Sequence, residues 1–216
     1  MVQRLGMQCI LIQQDLNDPN AHNLLLDSCE SHTAKLPRCI VNNASLFAID
    51  SAQSANAELL QTHFQTNTVV PLLLGNAIAQ RAALTKPPAE SFCVIHVLDQ
   101  KVHNLNPDYF SYTVSKLALH RSVALQAQSL APWVRVCGLS PGLSYLSGDQ
   151  TQENFDKASL VNLLKKAINP KDIADAAVFI ATNESMTGST VQIDNGQHLI
   201  PLERDVMFVV NKQVNA

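Results

Sequence analysis

Tyr112 and Lys116 stand four residues apart in the segment Tyr112-Thr113-Val114-Ser115-Lys116. On a helix, positions i and i+4 share one face, a turn apart. A lysine ammonium placed there stabilises a nearby tyrosinate and draws the phenol pKa down from its usual value of about 10. A phenol tuned toward neutrality works as a general acid or base. The same spacing also describes an ordinary solvated helix face, so the surrounding elements decide.

Short apolar runs alternate with longer helical patterns along the chain. The runs Met7–Gln13, Arg38–Val41, Phe92–Leu98, Val134–Leu139 and Thr190–Asp194 predict strands. Their continuous hydrophobicity suits strands buried on both faces of a parallel sheet. Helices are predicted over Asn20–Thr33, Ala55–Leu84, Tyr109–Leu130 and Lys171–Ala181, with Pro19 and Pro170 at helix entries. Such alternation gives right-handed βαβ units and an α/β fold with a doubly wound parallel sheet. No repeat, low-complexity tract or linker divides residues 1–216, so one domain is expected. Ser144–Lys157 reads as a polar, mobile loop, and the tail after Gly196 is apolar enough to dock.

Ligands of open α/β sheets bind beyond the C-terminal ends of the strands. Polar groups gather at those ends here: Asp15 with Leu16, Asn42-Asn43-Ala44-Ser45, Asp99-Gln100 and Ser140-Pro141-Gly142. Any one of them is commonplace; four on one rim indicate a site.

Composition narrows the class. A chain of 216 residues, 46% hydrophobic, supports one well-buried core. The net charge of -3 and pI near 6.1 disfavour nucleic acid or anionic membrane as partners. No apolar run reaches the roughly 18 residues of a membrane span. Cys9, Cys29, Cys39, Cys93 and Cys137 are scattered, without a CxxC, and the seven histidines lack ligand spacing. Neither disulfides nor a metal is expected, and a reducing cytoplasm is the expected compartment.

With these residues in place, the sequence resembles the short-chain dehydrogenase/reductase family over essentially its whole length. Asn42-Asn43-Ala44 is similar to the NNAG segment that lines the cofactor, and Asn67 to the helix asparagine of the proton relay. Tyr112 and Lys116 match YxxxK, Pro141-Gly142 the PG motif, and Thr187-Gly188 with Val191–Gly196 the TGxxxxVDGG ending. The resemblance implies a Rossmann-like sheet, an NADP(H) cofactor with NAD(H) left open, and a homodimer or homotetramer.

Two departures point to a branch. Most members carry a serine thirteen residues before the tyrosine; here that position is Asp99. A carboxylate donates a hydrogen bond only when protonated, which suits delivery of a proton better than polarisation of a ketone. Asp in this position, and NNAS followed two residues later by a phenylalanine, resemble pteridine reductases. The chain has Asn42-Asn43-Ala44-Ser45-Leu46-Phe47. Phe47 would sandwich a pterin against the nicotinamide, gaining offset stacking of about 1 kcal/mol. By this resemblance, hydride goes to a C=N bond of a dihydropterin, with Tyr112 supplying the proton and Asp99 relaying or positioning it. Lys116 would bind the nicotinamide ribose and tune Tyr112, while Asn67 would anchor the relay water. Backbone at Ser140–Leu143 would fix the carboxamide; Leu143 belongs to this group, Ser45 would face cofactor and pterin, and Asp15 and Leu16 would meet the adenine.

One family part is missing from the sequence. The TGxxxGxG loop seats the cofactor diphosphate on a helix N-terminus. The glycines here are Gly6, Gly75, Gly138, Gly142, Gly148, Gly188 and Gly196, and no three have that spacing. Met7–Gln13 matches the third strand of the family, so the first two strands are absent. Either Met7–Gln13 pairs with Arg38–Val41, or that edge shows a gap two strands wide. Two alternatives to pteridine reduction accompany this reading: a carbonyl reductase of the same family, and a catalytically silent relative acting as an interaction partner.

Overall fold

The structure is a computed structural model that describes residues 9–84 and 92–212. Four parallel strands form one sheet in chain order: β1 (Cys39–Asn42), β2 (Phe92–Val97), β3 (Val134–Pro141) and β4 (Thr190–Ile193). The α-helices are α1 (Ala21–Thr33), α2 (Ala57–Phe64), α3 (Val70–Ala83), α4 (Phe110–Leu130), α5 (Gln152–Ala158), α6 (Pro170–Thr182) and α7 (Val206–Lys212). The fold is the expected α/β, Rossmann-like doubly wound parallel sheet.

Alternation along β2 and β3 builds a core on each face, as a period-2 strand must. Phe92, Val94, Val134 and Val136 point toward α1, α3 and α4, meeting Leu26, Leu74 and Ile78. Cys93, Ile95, Cys137 and Leu139 point the other way, onto Ile180 and its neighbours on α6. The apolar runs looked continuous in sequence because both faces are covered. In the register, Asn42 sits beside His96, and His96 beside Gly138, which aligns the three strand ends on one rim.

Three expectations change. Cys9–Gln13 forms no strand, and Met7 and Gln8 lie outside the described residues. Among the described residues the outer edge of β1 has no strand beside it, so Cys9–Gln13 neither pairs with β1 nor bounds a gap two strands wide. With no partner for its backbone groups, an isolated extended segment gains no ladder, and Leu11 stays 91% exposed.

The second change concerns the long helix predicted over Ala55–Leu84. It divides into α2, a π-helical turn at Gln65–Val69, and α3. Pro71 explains the interruption: it has no N–H to donate four residues back, where the carbonyl is that of Asn67. The third concerns Ser144–Lys157, whose second half is the helix α5 rather than loop. Thr151 caps it by accepting from the Asn154 N–H at 3.2 Å, and Lys157 pairs with Glu153 one turn away. The apolar tail docks as expected: Val206 and Val210 of α7 pack against Ala158 of α5.

Candidate active site

A cleft of about 480 Å³ opens beyond the C-terminal ends of the strands. Asn43, Ser45, Phe47, Asp99, Tyr112 and Lys116 line it, and Pro141, Gly142 and Leu143 form its far wall. Nine of the residues singled out in the sequence therefore share one cavity. Helix α4 sets the reactive pair. Its N-terminus is held by Asp50, whose carboxylate accepts from the Ser111 N–H at 3.1 Å and from the Ser111 hydroxyl at 2.5 Å. The Asp50 carbonyl accepts from Tyr109 N–H at 3.0 Å, and Tyr109 takes the left-handed conformation, φ 56°. That fixes where the first turn begins, two residues ahead of Tyr112.

The Tyr112 hydroxyl donates to Asp99 Oδ2 at 2.7 Å. Asp99 Oδ1 accepts from the Lys101 N–H at 2.8 Å, which turns the carboxylate toward the phenol. Burial, then the charge of Asp99 and its hydrogen bond, hold the Tyr112 pKa well above the usual phenol value. Burial likewise raises Asp99 above the ordinary carboxylate range. This corrects the expected downward tuning of Tyr112. Lys116 Nζ lies 5.9 Å from the centre of the Tyr112 ring and donates instead to the Val97 carbonyl at 2.7 Å. Burial in turn lowers Lys116 to about 8. The Tyr112 phenol is thus held protonated at neutral pH.

Phe47 packs edge-on to Tyr112, ring centroids 4.7 Å apart, and stacks on Tyr109 at 4.1 Å. Asn67 holds the loop that carries it. The Asn67 oxygen accepts from Leu46 N–H at 2.8 Å and from the Ser45 hydroxyl at 3.1 Å. Its amide nitrogen donates to the Leu46 carbonyl and to Ser115 Oγ, both at 3.0 Å. An asparagine side chain has two donors and two acceptor sites, and all four are engaged. Through these bonds the Asn67 side chain positions Ser45 and Phe47.

Asp15 and Leu16 lie away from the cleft. Asp15 is exposed and closes a local turn onto Asn17. Leu16 lines a second cavity of about 310 Å³ together with Ala44, against α1, β1 and α3. Asn43 borders both cavities.

Several cleft residues went unseen in the sequence. Gln197 Oε1 accepts from the Leu143 N–H at 3.0 Å and fixes the far wall. A side-chain carbon at Gly142 would fall 2.6 Å from that same oxygen, so only glycine fits. Lys101, Gln150, Asp205 and Met207 complete the wall. Lys101 Nζ pairs with Asp205 at 3.0 Å, and Tyr109 Oη donates to Met207 Sδ at 2.7 Å. The chain's apolar tail was the available signal for this contribution; which residues it brings depends on where it docks. Behind the rim, buried His96 bridges Asn42 at 3.1 Å and Gln126 at 2.9 Å. Burial holds His96 neutral, its pKa lowered to about 4. Among the described residues no group of three His, Cys, Asp or Glu is placed to hold a metal, and no helix is long and apolar enough to cross a membrane.

Comparison with known proteins gives relatives for this arrangement. Residues 1–198 match the profile of a family described as enoyl-(acyl carrier protein) reductase. The dihydromonapterin reductase of Escherichia coli K12 is 28% identical over 194 residues, which cover 90% of this chain and 79% of that protein. The enzyme of the same name from Citrobacter koseri is 26% identical over 190 residues, 88% of this chain and 78% of that protein. FolM alternative dihydrofolate reductase 1 from Brucella canis, crystallised with NADP, superimposes with a TM-score of 0.83 at 30% identity. The superposition covers 92% of this chain and 77% of that chain.

Proposed function

The chain belongs to the short-chain dehydrogenase/reductase family of nicotinamide-dependent oxidoreductases, and from that premise we propose that it reduces a pteridine with NADPH. The substrate is a dihydropterin or a dihydrofolate-like compound, reduced at a C=N bond. The observation that carries this reading is the Tyr112–Asp99 hydrogen bond of 2.7 Å beside the Phe47 ring. An acid pair next to an aromatic face suits a flat heterocycle that must gain a proton at nitrogen. The relatives named for dihydromonapterin and dihydrofolate reduction support it.

The nicotinamide end of a cofactor fits the residues present. Lys116 uses one of its three N–H donors on Val97 and keeps two for ribose hydroxyls. Asn43, Ser45 and the Pro141–Leu143 wall flank the same space. At the diphosphate end, the described residues hold no glycine-rich turn opening a helix. NADPH, when bound, supplies the hydride. Phe47 orients the ring by stacking, and the wall from Leu143 to Met207 keeps solvent from it. Tyr112 then passes its phenolic proton to the substrate nitrogen, and Asp99 holds the phenol in line. Lys116, cationic below about pH 8, offsets the negative charge left on the pair. Asp99, which raises the Tyr112 pKa, is a positioning group that keeps the acid protonated.

The direct test is oxidation of NADPH in the presence of a 7,8-dihydropterin, with a simple ketone as the comparison substrate. Turnover of the dihydropterin in preference to the ketone is expected. Preference for the ketone would make the chain a carbonyl reductase and end the pteridine reading.

A further inference from the structure

A second reactive arrangement lies on the face of the sheet that α6 covers, and none of its residues lines the cleft. In the parallel register Cys39 of β1 stands beside Cys93 of β2, and Cys93 beside Arg135 of β3. Side chains alternate along each strand, so the three form one row across the sheet. The packing agrees: Cys93 belongs to the core under α6, and Cys39 packs against it from the β1 side. Cys137 is another cysteine of this face, but its neighbour on β2 is Ile95.

The two paired thiols are unequal. Cys93 is buried, whereas Cys39 is partly exposed. Among the described residues no strand lies outside β1, and Val41, two residues further along the same face, is exposed. The row is therefore open at Cys39. It is closed at Arg135, whose guanidinium donates to the Ile180 and Ala181 carbonyls at 3.0 and 2.8 Å. A hydrogen bond from the Cys93 thiol lowers the Cys39 pKa; burial opposes it, and the Arg135 charge assists it. The same hydrogen bond, and burial, raise that of Cys93. The thiolate is the reactive form of cysteine, so reactivity falls on the accessible member of the pair. An accessible, acidified thiol beside a second thiol able to resolve it is the arrangement that oxidants select. Neighbouring strands lie about 4.7–4.9 Å apart, inside the Cα separation of about 4.4–6.8 Å that a disulfide spans.

We propose that Cys39 and Cys93 form a reversible oxidation site, in which a peroxide oxidises Cys39 and Cys93 closes a disulfide. The Cys39 thiolate attacks one oxygen of hydrogen peroxide, and the O–O bond breaks. The departing hydroxide takes up the proton that Cys39 had lost, leaving water and a sulfenic acid on Cys39. The Cys93 sulfur then attacks the Cys39 sulfur and the S–O bond breaks. Hydroxide leaves with the Cys93 proton as a second water. Two thiols thus give up two electrons, and one peroxide is reduced to two waters. Exchange with a dithiol such as dithiothreitol reverses the bond. The linked strand leads directly into Asn43-Ala44-Ser45-Leu46-Phe47, so the disulfide pins the entry to that segment.

Tryptic mapping of the folded 216-residue chain tests this, because cleavage after Arg38, Arg81 and Lys101 leaves Cys39 and Cys93 in separate peptides. The chain is treated with hydrogen peroxide, the remaining thiols are alkylated, and the digest is read by mass spectrometry. The two peptides are expected joined, lighter by two hydrogens than their sum and parted by dithiothreitol. Before oxidation, iodoacetamide at neutral pH should modify Cys39 about tenfold or more faster than buried Cys137. Cys93→Ala should stop at the sulfenic acid, trapped on Cys39 by dimedone. If that variant does not fold, the map of the parent chain decides alone. Recovery of both peptides as separate alkylated thiols after peroxide, or a link from either one to a different cysteine, overturns the pairing. Alkylation of Cys39 no faster than that of Cys137 overturns its role as the thiol oxidised first.

Discussion

The cleft and the β1 edge lie on one sheet but differ in how their polar groups are used. In the cleft, each reactive side chain is fixed by a second and often a third residue. Asp99 is turned by the Lys101 N–H, Tyr112 by Asp99, and the Phe47 loop by three hydrogen bonds to Asn67. At the β1 edge, Val41 is 48% exposed, and the cavity beneath it is lined mostly by apolar residues, with Asn42, Asn43 and Thr66 as its polar side chains. Among the described residues that line it, none is an Asp, Glu, His, Lys or Arg. The polar network that the proposed acid–base role needs is therefore assembled within the described residues. Pre-organised donors and acids act without reorganisation at the moment of reaction, so the cleft is where substitutions should have the largest effects.

The sharpest test of that contrast is Tyr112→Phe. Removing the hydroxyl deletes the proton donor but keeps the ring against Phe47, so the rate of dihydropterin reduction should fall by about 10²–10⁴. Nucleotide and pterin affinities should stay within roughly threefold, since the lost group acts in the transition state. Retention of more than about a tenth of the activity would remove Tyr112 from the role of acid. The next effect concerns the other region. NADPH should bind the 216-residue chain weakly, and adding a glycine-loop βαβ unit ahead of Met1 should tighten it by about 10²–10³. That range is what two or three charge-assisted hydrogen bonds to phosphate contribute. Micromolar NADPH affinity in the unextended chain would show that the β1 edge already provides the seat.

Much of this was legible in the sequence, and the failures share a cause. Strands β1 to β4 and helices α1, α4 and α6 fall within two residues of their predicted limits, because buried apolar periodicity is local information. Nine candidate residues reached one cleft because strand ends of a parallel sheet share a rim. Asp15 and Leu16 did not, since their placement assumed that Met7–Gln13 is a strand, and Cys9–Gln13 lacks a partner. The Tyr112 pKa moved opposite to expectation because burial and the Asp99 charge outweigh a lysine whose Nζ lies 5.9 Å from the ring centre. Asp50, Gln150, Gln197 and Asp205 act through contacts over many residues, and no local spacing announces those.

Lys116 gives a prediction in pH. Its folded pKa of about 8 lies below the usual lysine value near 10.4. Between these values the unfolded chain binds more protons, so stability should rise with pH across that window. The rise should be on the order of 3 kcal/mol, and Lys116→Met should abolish it. Urea titrations at pH 7, 8, 9 and 10 would show it; a flat profile in the parent chain would contradict the burial of this ammonium. Phe47→Ala ranks next. It removes a face that a pterin would stack on and should weaken pterin binding by roughly 1–3 kcal/mol, with less effect on NADPH. Equal weakening of both would make Phe47 a packing residue shared by the whole cleft.

The smallest expected effect is also the one that asks how the cleft became rigid. Asp50 is buried and touches neither Asp99 nor Tyr112 through any hydrogen bond; it holds the first turn of α4 through Ser111. A carboxylate at a helix N-terminus satisfies orphan N–H groups and meets the positive end of the helix dipole. Asp50→Ala should therefore cost about 0.5–2 kcal/mol of stability, the usual range for a lost cap. Asp50→Asn keeps an oxygen acceptor and should recover most of it. The same step should appear in catalysis. With the turn loosened, Tyr112 samples positions off the Asp99 oxygen, so kcat should fall severalfold in Asp50→Ala while the KM for pterin barely moves, as happens when positioning is lost. The two substitutions should order activity as they order stability. If Asp50→Ala lowers the melting temperature but leaves kcat untouched, the placement of Tyr112 is set by Asp99 and Phe47 alone, and α4 only carries it.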